Sequence, residues 1–545
     1  MELIYFFSVL ALGFIVITIY DVFKSKKRLR KRIIENFGQI PSSRANFESI
    51  KAYHLEASEY HKQRLIDEIT WNDLEMDEVY KRINNTGTSV GEEYLYHVLH
   101  QCPLEVDDIG RRESLIEWLE QHPDERVDIQ VILAGCGKED YNNFSHYLFH
   151  SEHNRLPFSF IFTILGNLPW LFIIGLLINS TIFGALIFLS LIINMIVNYI
   201  FSKRISPQLQ SIRYFSKILW CAGKLSSYKN SEFQYEIKPL SSSFNVFKAL
   251  KNKTSALVQK KTNEIDILVE YVQILFLRNI RKYNKTMAMM TSHQKELISL
   301  YESLGELDLS ISILSYRKSL PGYCLPAFTS AKELDFSELY HPLLKEPIKN
   351  TKVLKDNIIL TGSNASGKST FIKAIALNTL LGQNINTCSA DYFITKPSFV
   401  ITSMAIRDDL MAGESYFIKE IKSLKRILDT VKELYCLCIV DEILRGTNTI
   451  ERISASSAVL NFLDKENGMA IIASHDIELT ELLKSSYGNY HFREQITNEG
   501  ISFDYLLKEG PSRTRNAIKL LEFMGFSREI VDEAFANAKK MESSL

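Results

Sequence analysis

The run Asn357-Ile-Ile-Leu-Thr-Gly-Ser-Asn-Ala-Ser-Gly-Lys-Ser-Thr370 sets a complete G-x-x-x-x-G-K-S loop between an apolar strand and a helical run, Phe371 to Leu381. A strand, a glycine-rich turn and a helix in this order demand an α/β layer with the loop at the carboxyl end of the strand. Gly362 and Gly367 let the backbone curl so that the N–H groups of Ser363, Asn364, Ala365, Ser366 and Gly367 turn inward on phosphate oxygens. Lys368 can reach the β- and γ-phosphates, Ser369 offers a hydroxyl to Mg²⁺, and Thr370 follows in the first helical turn. The helix adds its positive dipole end. The pattern therefore predicts a nucleoside-triphosphate site, with ATP and Mg²⁺ as ligands.

Hydrolysis further requires a carboxylate on the metal and a group that positions the attacking water. Leu437-Cys-Ile-Val-Asp-Glu442 is an apolar strand ending in two acids. Asp441 is the candidate Mg²⁺ ligand beside Ser369, and Glu442 is the candidate general base. A second strand, Met469 to Ser474, ends at His475, placed to sense or polarise the γ-phosphate. Lys368, Glu442 and His475 are thus the candidate catalytic set.

At 545 residues the chain exceeds one module, and its formal net charge of −1 announces no polyanion as partner. The seven cysteines show no paired metal spacing. Cys436-x-Cys438 falls inside the apolar strand, where buried thiols are the expected reading.

Two stretches have membrane character. Leu3 to Tyr20 is almost uncharged and is followed at once by Lys24, Lys26, Lys27, Arg28, Arg30, Lys31 and Arg32. That order predicts an anchor with the bulk of the chain in the cytoplasm, and it is the reverse of a cleaved signal peptide. Phe158 to Phe201 holds no charged residue and is interrupted at Asn179-Ser180, which predicts a helical hairpin of two spans closed by Lys203 and Arg204. The expected total is about three membrane helices, with location in the cell membrane. Helical periodicity marks Glu93 to His100 and Ser114 to Leu119 before the hairpin, and Ile265 to Ile280 and Lys295 to Leu314 after it. Basic clusters at Lys248, Lys251, Lys253, Lys260 and Lys261, and at Arg278, Arg281, Lys282 and Lys285, read as solvated or lipid-facing helix faces, with DNA contact as the alternative.

From His341 onward the chain resembles the ATPase domain of the MutS family, a branch of the ABC-type ATPases. The matches run in order: His341-Pro342 before the P-loop, Asp408 to Phe417 like the family's segment ending Ser-Thr-Phe, Asp441-Glu-Ile-Leu-Arg-Gly-Thr447 like Asp-Glu-Ile-Gly-Arg-Gly-Thr, and Ala473-Ser-His475 like Ala-Thr-His. Ser512 to Ala538 is similar to the terminal dimerisation helices, and Asn85 to Gly91 through Leu104 to the start of the helical core and lever region.

The resemblance implies a homodimer joined through its ATPase domains, Ser415 reaching the partner's nucleotide in trans, and coupling to DNA, with mismatched or structured DNA as candidate ligand. It departs from the family where Ser363 replaces a proline and Ser366 and Leu444 replace glycines. No segment resembles the mismatch-reading domain, and no Phe-x-Glu wedge is placed to enter a base step.

The resulting expectation is an N-terminal transmembrane anchor (1–32), an all-α core/lever domain (33–156 and 203–330) interrupted by a transmembrane hairpin (157–202), and an α/β ABC-type P-loop ATPase domain (331–545). Two other functions fit the same features: a membrane-tethered ATPase moving a protein partner without DNA, and an ABC-type transporter.

Overall fold

The computed structural model describes residues 5, 20–21, 23–42, 45–105, 109–150, 156–255, 271–363, 366–404, 416–497, 500–512, 518, 521 and 523–544. The expected anchor Leu3–Tyr20 lies almost wholly outside them, as do Asn364, Ala365, Lys260, Lys261 and the stretch 405–415 with Ser415. The chain forms two units, one of residues 1–62, 83–98 and 110–319, the other of 63–82, 99–109 and 320–545.

In chain order the first helices are α1 (Phe47–His61), α2 (Glu68–Asp73), α3 (Met76–Ile83), α4 (Ser89–His100), α5 (Ile109–Gln121), α6 (Pro123–Cys136) and α7 (Phe144–Phe149). They are followed by α8 (Ser159–Gly175), α9 (Ser180–Leu225), α10 (Ser231–Glu236), α11 (Lys238–Ser255), α12 (Arg278–Ser292) and α13 (Gln294–Ser319).

The first unit is helical throughout and is organised on α13, whose side chains from Leu304 to Arg317 are nearly all buried. A helix buried all round must be covered all round, and α11 and α6 are among the helices packed against it. Its charged members are paired: Arg317 clamps Glu113 at 2.6 and 2.8 Å, and Asp308 accepts from Gly87 N (2.9 Å), Thr88 N (2.9 Å) and Thr88 Oγ1 (2.6 Å). Burial pushes the Asp308 carboxyl up to about 6, the hydrogen bonds from Thr88 and Gly87 pulling the other way.

The longest helix, α9, has two characters. Its far half presents Ile212, Phe215, Ile218, Leu219, Ala222 and Leu225 to the core at three- and four-residue spacing, against α6 and α11. Its near half is apolar and bare. Asn179 caps it by accepting Ile182 N at 3.1 Å, so the polar break in the sequence is the turn between α8 and α9. Leu177 and Ile178 at that turn are 90% and 83% exposed.

Where the sequence predicts three crossings, one helix among the described residues is long and apolar enough to cross a membrane, Ser180–Ile205; α8 is a shorter apolar helix of 17 residues. The hairpin also carries a partnered polar group: fully buried Asn194 donates to Leu165 O (3.1 Å) and Leu275 O (2.7 Å). Phe276 stacks on Trp170 at 5.2 Å, and Arg281 donates to Asn167 of α8.

The second unit is α/β. Six strands lie in the order β12 (Lys508–Glu509), β9 (Tyr487–His491), β4 (Asn357–Thr361), β8 (Gly468–Ala473), β7 (Cys436–Asp441), β6 (Phe399–Ser403), all parallel except β12. The fully buried runs of β4, β6, β7 and β8 are what a sheet covered on both faces requires. Cys436 and Cys438 are buried free thiols of β7.

A second sheet has the order β1 (Ala327–Phe328), β5 (Tyr392–Thr395), β2 (Leu334–Leu339), β3 (Asn350–Leu354), and β10 (Glu494–Thr497) with β11 (Gly500–Phe503) makes a hairpin. The helices here are α14 (Lys368–Ile385), α15 (Tyr416–Val431), α16 (Thr449–Lys465), α17 (Ile477–Leu482) and α18 (Arg528–Ser544). Helix α14 lies on β6, β7 and β8 and is buried along nearly its whole length, with Phe371 also meeting Phe336 of β2. The piece 63–82 belongs here: Asp73 accepts Thr402 Oγ1 at 2.7 Å and Met404 N at 3.0 Å, and Asp67 pairs with Arg426.

Candidate functional site

Three parallel neighbours, β4, β8 and β7, end side by side, since Leu360 is in register with Ala473 and Ala473 with Asp441. Their carboxyl ends carry the glycine-rich loop, His475 and the Asp441-Glu442 pair respectively. The sheet thus brings together three of the groups that the sequence singles out.

The loop is shaped by its glycines. Gly362 has φ 140°, and a Cβ there would stand 2.9 Å from both Phe492 O and Ser366 Oγ. Gly367 has φ 96° and is the N-cap of α14, so the first N–H groups of that helix face the loop. Lys368 is 2% exposed, and its ammonium donates to Gly362 O (2.6 Å) and Ser363 O (2.9 Å). Ser366 Oγ donates to Ser363 O at 2.7 Å, closing the turn. Ser369 is half-buried and Thr370 exposed in the first turn of α14.

Asp441 is 8% exposed, and its Oδ1 is buried without a hydrogen-bond partner among the described residues. An orphaned carboxylate oxygen is costly unless something charged meets it. With the Ser369 hydroxyl at the start of α14, this donor set of hard oxygens fits Mg²⁺.

Glu442 takes a left-handed backbone (φ 61°) and its N–H donates to Ala473 O at 2.9 Å. Its carboxylate receives His475 Nε2 at 2.9 Å and pairs with Arg445. Burial raises its pKa, but the hydrogen bond and charge of His475, with those of Arg445, outweigh that and hold the carboxyl below the usual range. The loop that follows is fixed from α15. Glu420, buried, accepts the N–H of Arg445 at 3.1 Å and those of Leu444 and Gly446, and burial pushes its carboxyl up against their pull. Sequence reasoning passed over Glu420, whose only local signal is its place one turn into a helix that opens with Tyr416-Phe417.

Leu444 has φ 57° and is 6% exposed. A left-handed leucine costs about 1–2 kcal/mol, while burying its side chain contributes about 1.5–3 kcal/mol; burial wins. Leu444→Gly should therefore lower stability by about 1 kcal/mol in thermal denaturation, and a stabilised variant would show that strain dominates.

A cavity of about 330 Å³ opens beside Gly367 and Thr370, lined among others by His341, Asn350, Phe371, Phe492 and Tyr505. Burial, then the charge of Lys373, lowers the His341 pKa to about 4, so the ring is neutral at physiological pH. Its Nδ1 accepts Leu343 N at 3.3 Å, which leaves the proton on Nε2. Asn350 bonds Tyr505 O (3.0 Å) and Leu507 N (2.8 Å), holding that loop over the opening. An aromatic-lined cavity next to a glycine-rich turn of this kind suits a nucleobase. Of its walls the sequence marked only His341, and that by resemblance; Phe492 and Tyr505 carry no local motif.

Residues 358–542 match the family model described as MutS domain V. The chain is 32% identical over 252 residues to the DNA mismatch repair protein MutS of Aquifex pyrophilus, covering 44% of this chain and 29% of that protein. It is 30% identical over 342 residues to the protein of the same description from Pseudothermotoga lettingae (58% and 42%), and 30% over 270 residues to human MutS protein homolog 4 (46% and 28%). The chain spans less than half the length of these relatives.

Proposed function

We propose that this chain, whose residues 358–542 match the model of MutS domain V, is a membrane-anchored MutS-family ATPase that works as a dimer and couples ATP hydrolysis to DNA. The observation that carries the reading is the convergence of the P-loop, Asp441-Glu442 and His475 on adjacent strand ends of one parallel sheet.

In this reading the loop from Gly362 to Thr370 cradles the triphosphate, and the base enters the cavity beside His341. Lys368 leaves its two carbonyl partners for phosphate oxygens, which exchanges ion–dipole contacts for an ion pair. Ser369 and Asp441 hold Mg²⁺, which when bound offsets charge on the β- and γ-phosphate oxygens. Glu442 orients the attacking water and takes its proton, and His475, already bonded to Glu442, directs that carboxylate and faces the γ-phosphate. Ser415 acts in trans on the partner's nucleotide. The dimer is the unit of function, and the helical first unit passes its two nucleotide states on to a DNA ligand.

The bare apolar faces of α8 and the first half of α9, with Leu177 and Ile178 exposed at their turn, support insertion of the hairpin into a bilayer. The basic residues after Tyr20 support a cytoplasmic side for the bulk of the chain in this reading.

The test is ATP hydrolysis by the full chain with and without duplex DNA across a salt series. DNA should change the rate, and the effect should fade steeply as salt rises, because phosphate contacts release counterions. A rate indifferent to duplex, mismatched and branched DNA would remove DNA from this reading and leave a protein partner at the membrane.

A further inference from the structure

Away from the nucleotide site, the first unit assembles two imidazoles and a carboxylate on its surface. His146 lies within α7 and His150 caps its end, four residues on, so both project from one face. Helix α1 packs on α7 and sets Glu56 opposite them. Each Glu56 oxygen faces a different ring: Oε1 is 3.1 Å from His146 Nδ1, and Oε2 is 2.6 Å from His150 Nε2. The three ligand atoms lie within 4.8 Å of one another.

The side chains are open to solvent, at 55% for His146, 44% for His150 and 23% for Glu56. Their scaffold is fixed. Phe144, Tyr147 and Leu148 of α7 are buried, Gln294 donates to Leu148 O (2.9 Å) and Phe149 O (2.8 Å), and Tyr53 anchors α1 by stacking on Tyr301 at 5.2 Å.

We propose that Glu56, His146 and His150 bind one divalent transition-metal ion, with zinc as the type case and a water completing the shell. Imidazole nitrogens select ions of this class over Mg²⁺ and Ca²⁺, which take oxygen ligands. In a tetrahedral shell, ligand bonds of about 2.0–2.2 Å put neighbouring donor atoms roughly 3.3–3.6 Å apart. The His146 pair, at 3.1 Å, is close to this spacing. The His150 pair, at 2.6 Å, must open by roughly 0.7–1 Å, which a side chain at a solvent-exposed helix end accommodates.

The ion would take the place of the two hydrogen bonds between the rings and the carboxylate, because a ring nitrogen coordinates a metal only when it carries no proton. It would tie α1 to α7, the helix that precedes the apolar hairpin in the chain. The nucleotide site shares no residue with it.

Full-length protein stripped of metal, without nucleotide or Mg²⁺, is titrated with zinc chloride by calorimetry, and its melting temperature is followed in parallel. One equivalent should bind and raise the melting temperature. Removing a direct ligand should weaken that event at least as much as loss of an outer-shell partner does, so by about 100-fold or more in H146A/H150A. E56Q should weaken it too, while both variants keep the wild-type circular dichroism spectrum and basal ATP hydrolysis. Absence of zinc binding by the wild type overturns the assignment, as does unchanged stoichiometry and affinity in the double variant.

Discussion

Glu442→Gln should lower kcat for ATP hydrolysis by about 10²–10⁴-fold, the usual contribution of a positioned base, while nucleotide affinity stays near that of the parent. The side chain is held from three sides. Its backbone is pinned to Ala473 O, and its carboxylate lies between His475 at 2.9 Å and Arg445. Glutamine preserves the shape and can still accept from one of these donors, but it cannot take a proton from water.

Because His475 and Arg445 hold the Glu442 carboxyl below the usual range against the upward push of burial, it is ionised throughout the neutral and alkaline region. The ratio of parent to variant rates should therefore be flat from about pH 6 to pH 9. Steady-state hydrolysis across that range, with nucleotide binding measured separately, distinguishes this from a purely structural ion pair. In the structural case the variant would lose stability and keep its turnover, and Glu442 would not be the base.

What was legible in the sequence was local. The P-loop carries its chemistry in fourteen consecutive residues from Asn357 to Thr370, and the unbroken apolar runs that end in Asp441 and at Ser474 reveal strands buried on both faces. The uncharged stretch from Phe158 to Phe201 revealed the hairpin, and Asn179 its turn. Contacts that join distant segments left no periodic trace. Asp73 meets Thr402 across 329 residues, and Glu56 meets His146 across 90. Nothing near residue 70 announces that it packs with the P-loop unit, because a short amphipathic helix presents the same pattern to any apolar surface. The walls of the cavity beside the P-loop were hidden for the same reason: Phe492 and Tyr505 follow the P-loop by more than a hundred residues and are placed by the fold, not by their neighbours. Asn194 shows the converse, a polar residue inside an uncharged run whose backbone partners, Leu165 and Leu275, exist only once the helices are packed.

Gly91→Ala should destabilise the helical unit by about 3–5 kcal/mol, a large part of an ordinary folding margin. The motif Asn85 to Gly91 was recognised by resemblance alone, and the fold supplies its physics. Asp308, fully enclosed on α13, is held by the backbone N–H groups of Gly87 and Thr88 and by the Thr88 hydroxyl, which turns the loop into a cradle for one carboxylate. Gly91 begins the next turn of α4 directly against that carboxylate, and a Cβ there would lie 2.7 Å from Asp308 Cγ and closer still to Oδ2.

No far end of a flexible side chain is available to yield, because Asp308 has its backbone on a buried helix. The added methyl therefore costs about 1–3 kcal/mol in overpacking and displaces a buried charge from donors worth roughly 1.5–3 kcal/mol each. Gly87 is the matched control. A Cβ at that position meets Leu133 Cβ at 3.6 Å and Asp308 Oδ1 at 3.8 Å, ordinary contacts, so Gly87→Ala should cost less than about 1 kcal/mol. Denaturant unfolding of the two variants decides it. If Gly91→Ala proves as stable as Gly87→Ala, the cradle gives way without cost, and Asp308 does not fix the start of α4.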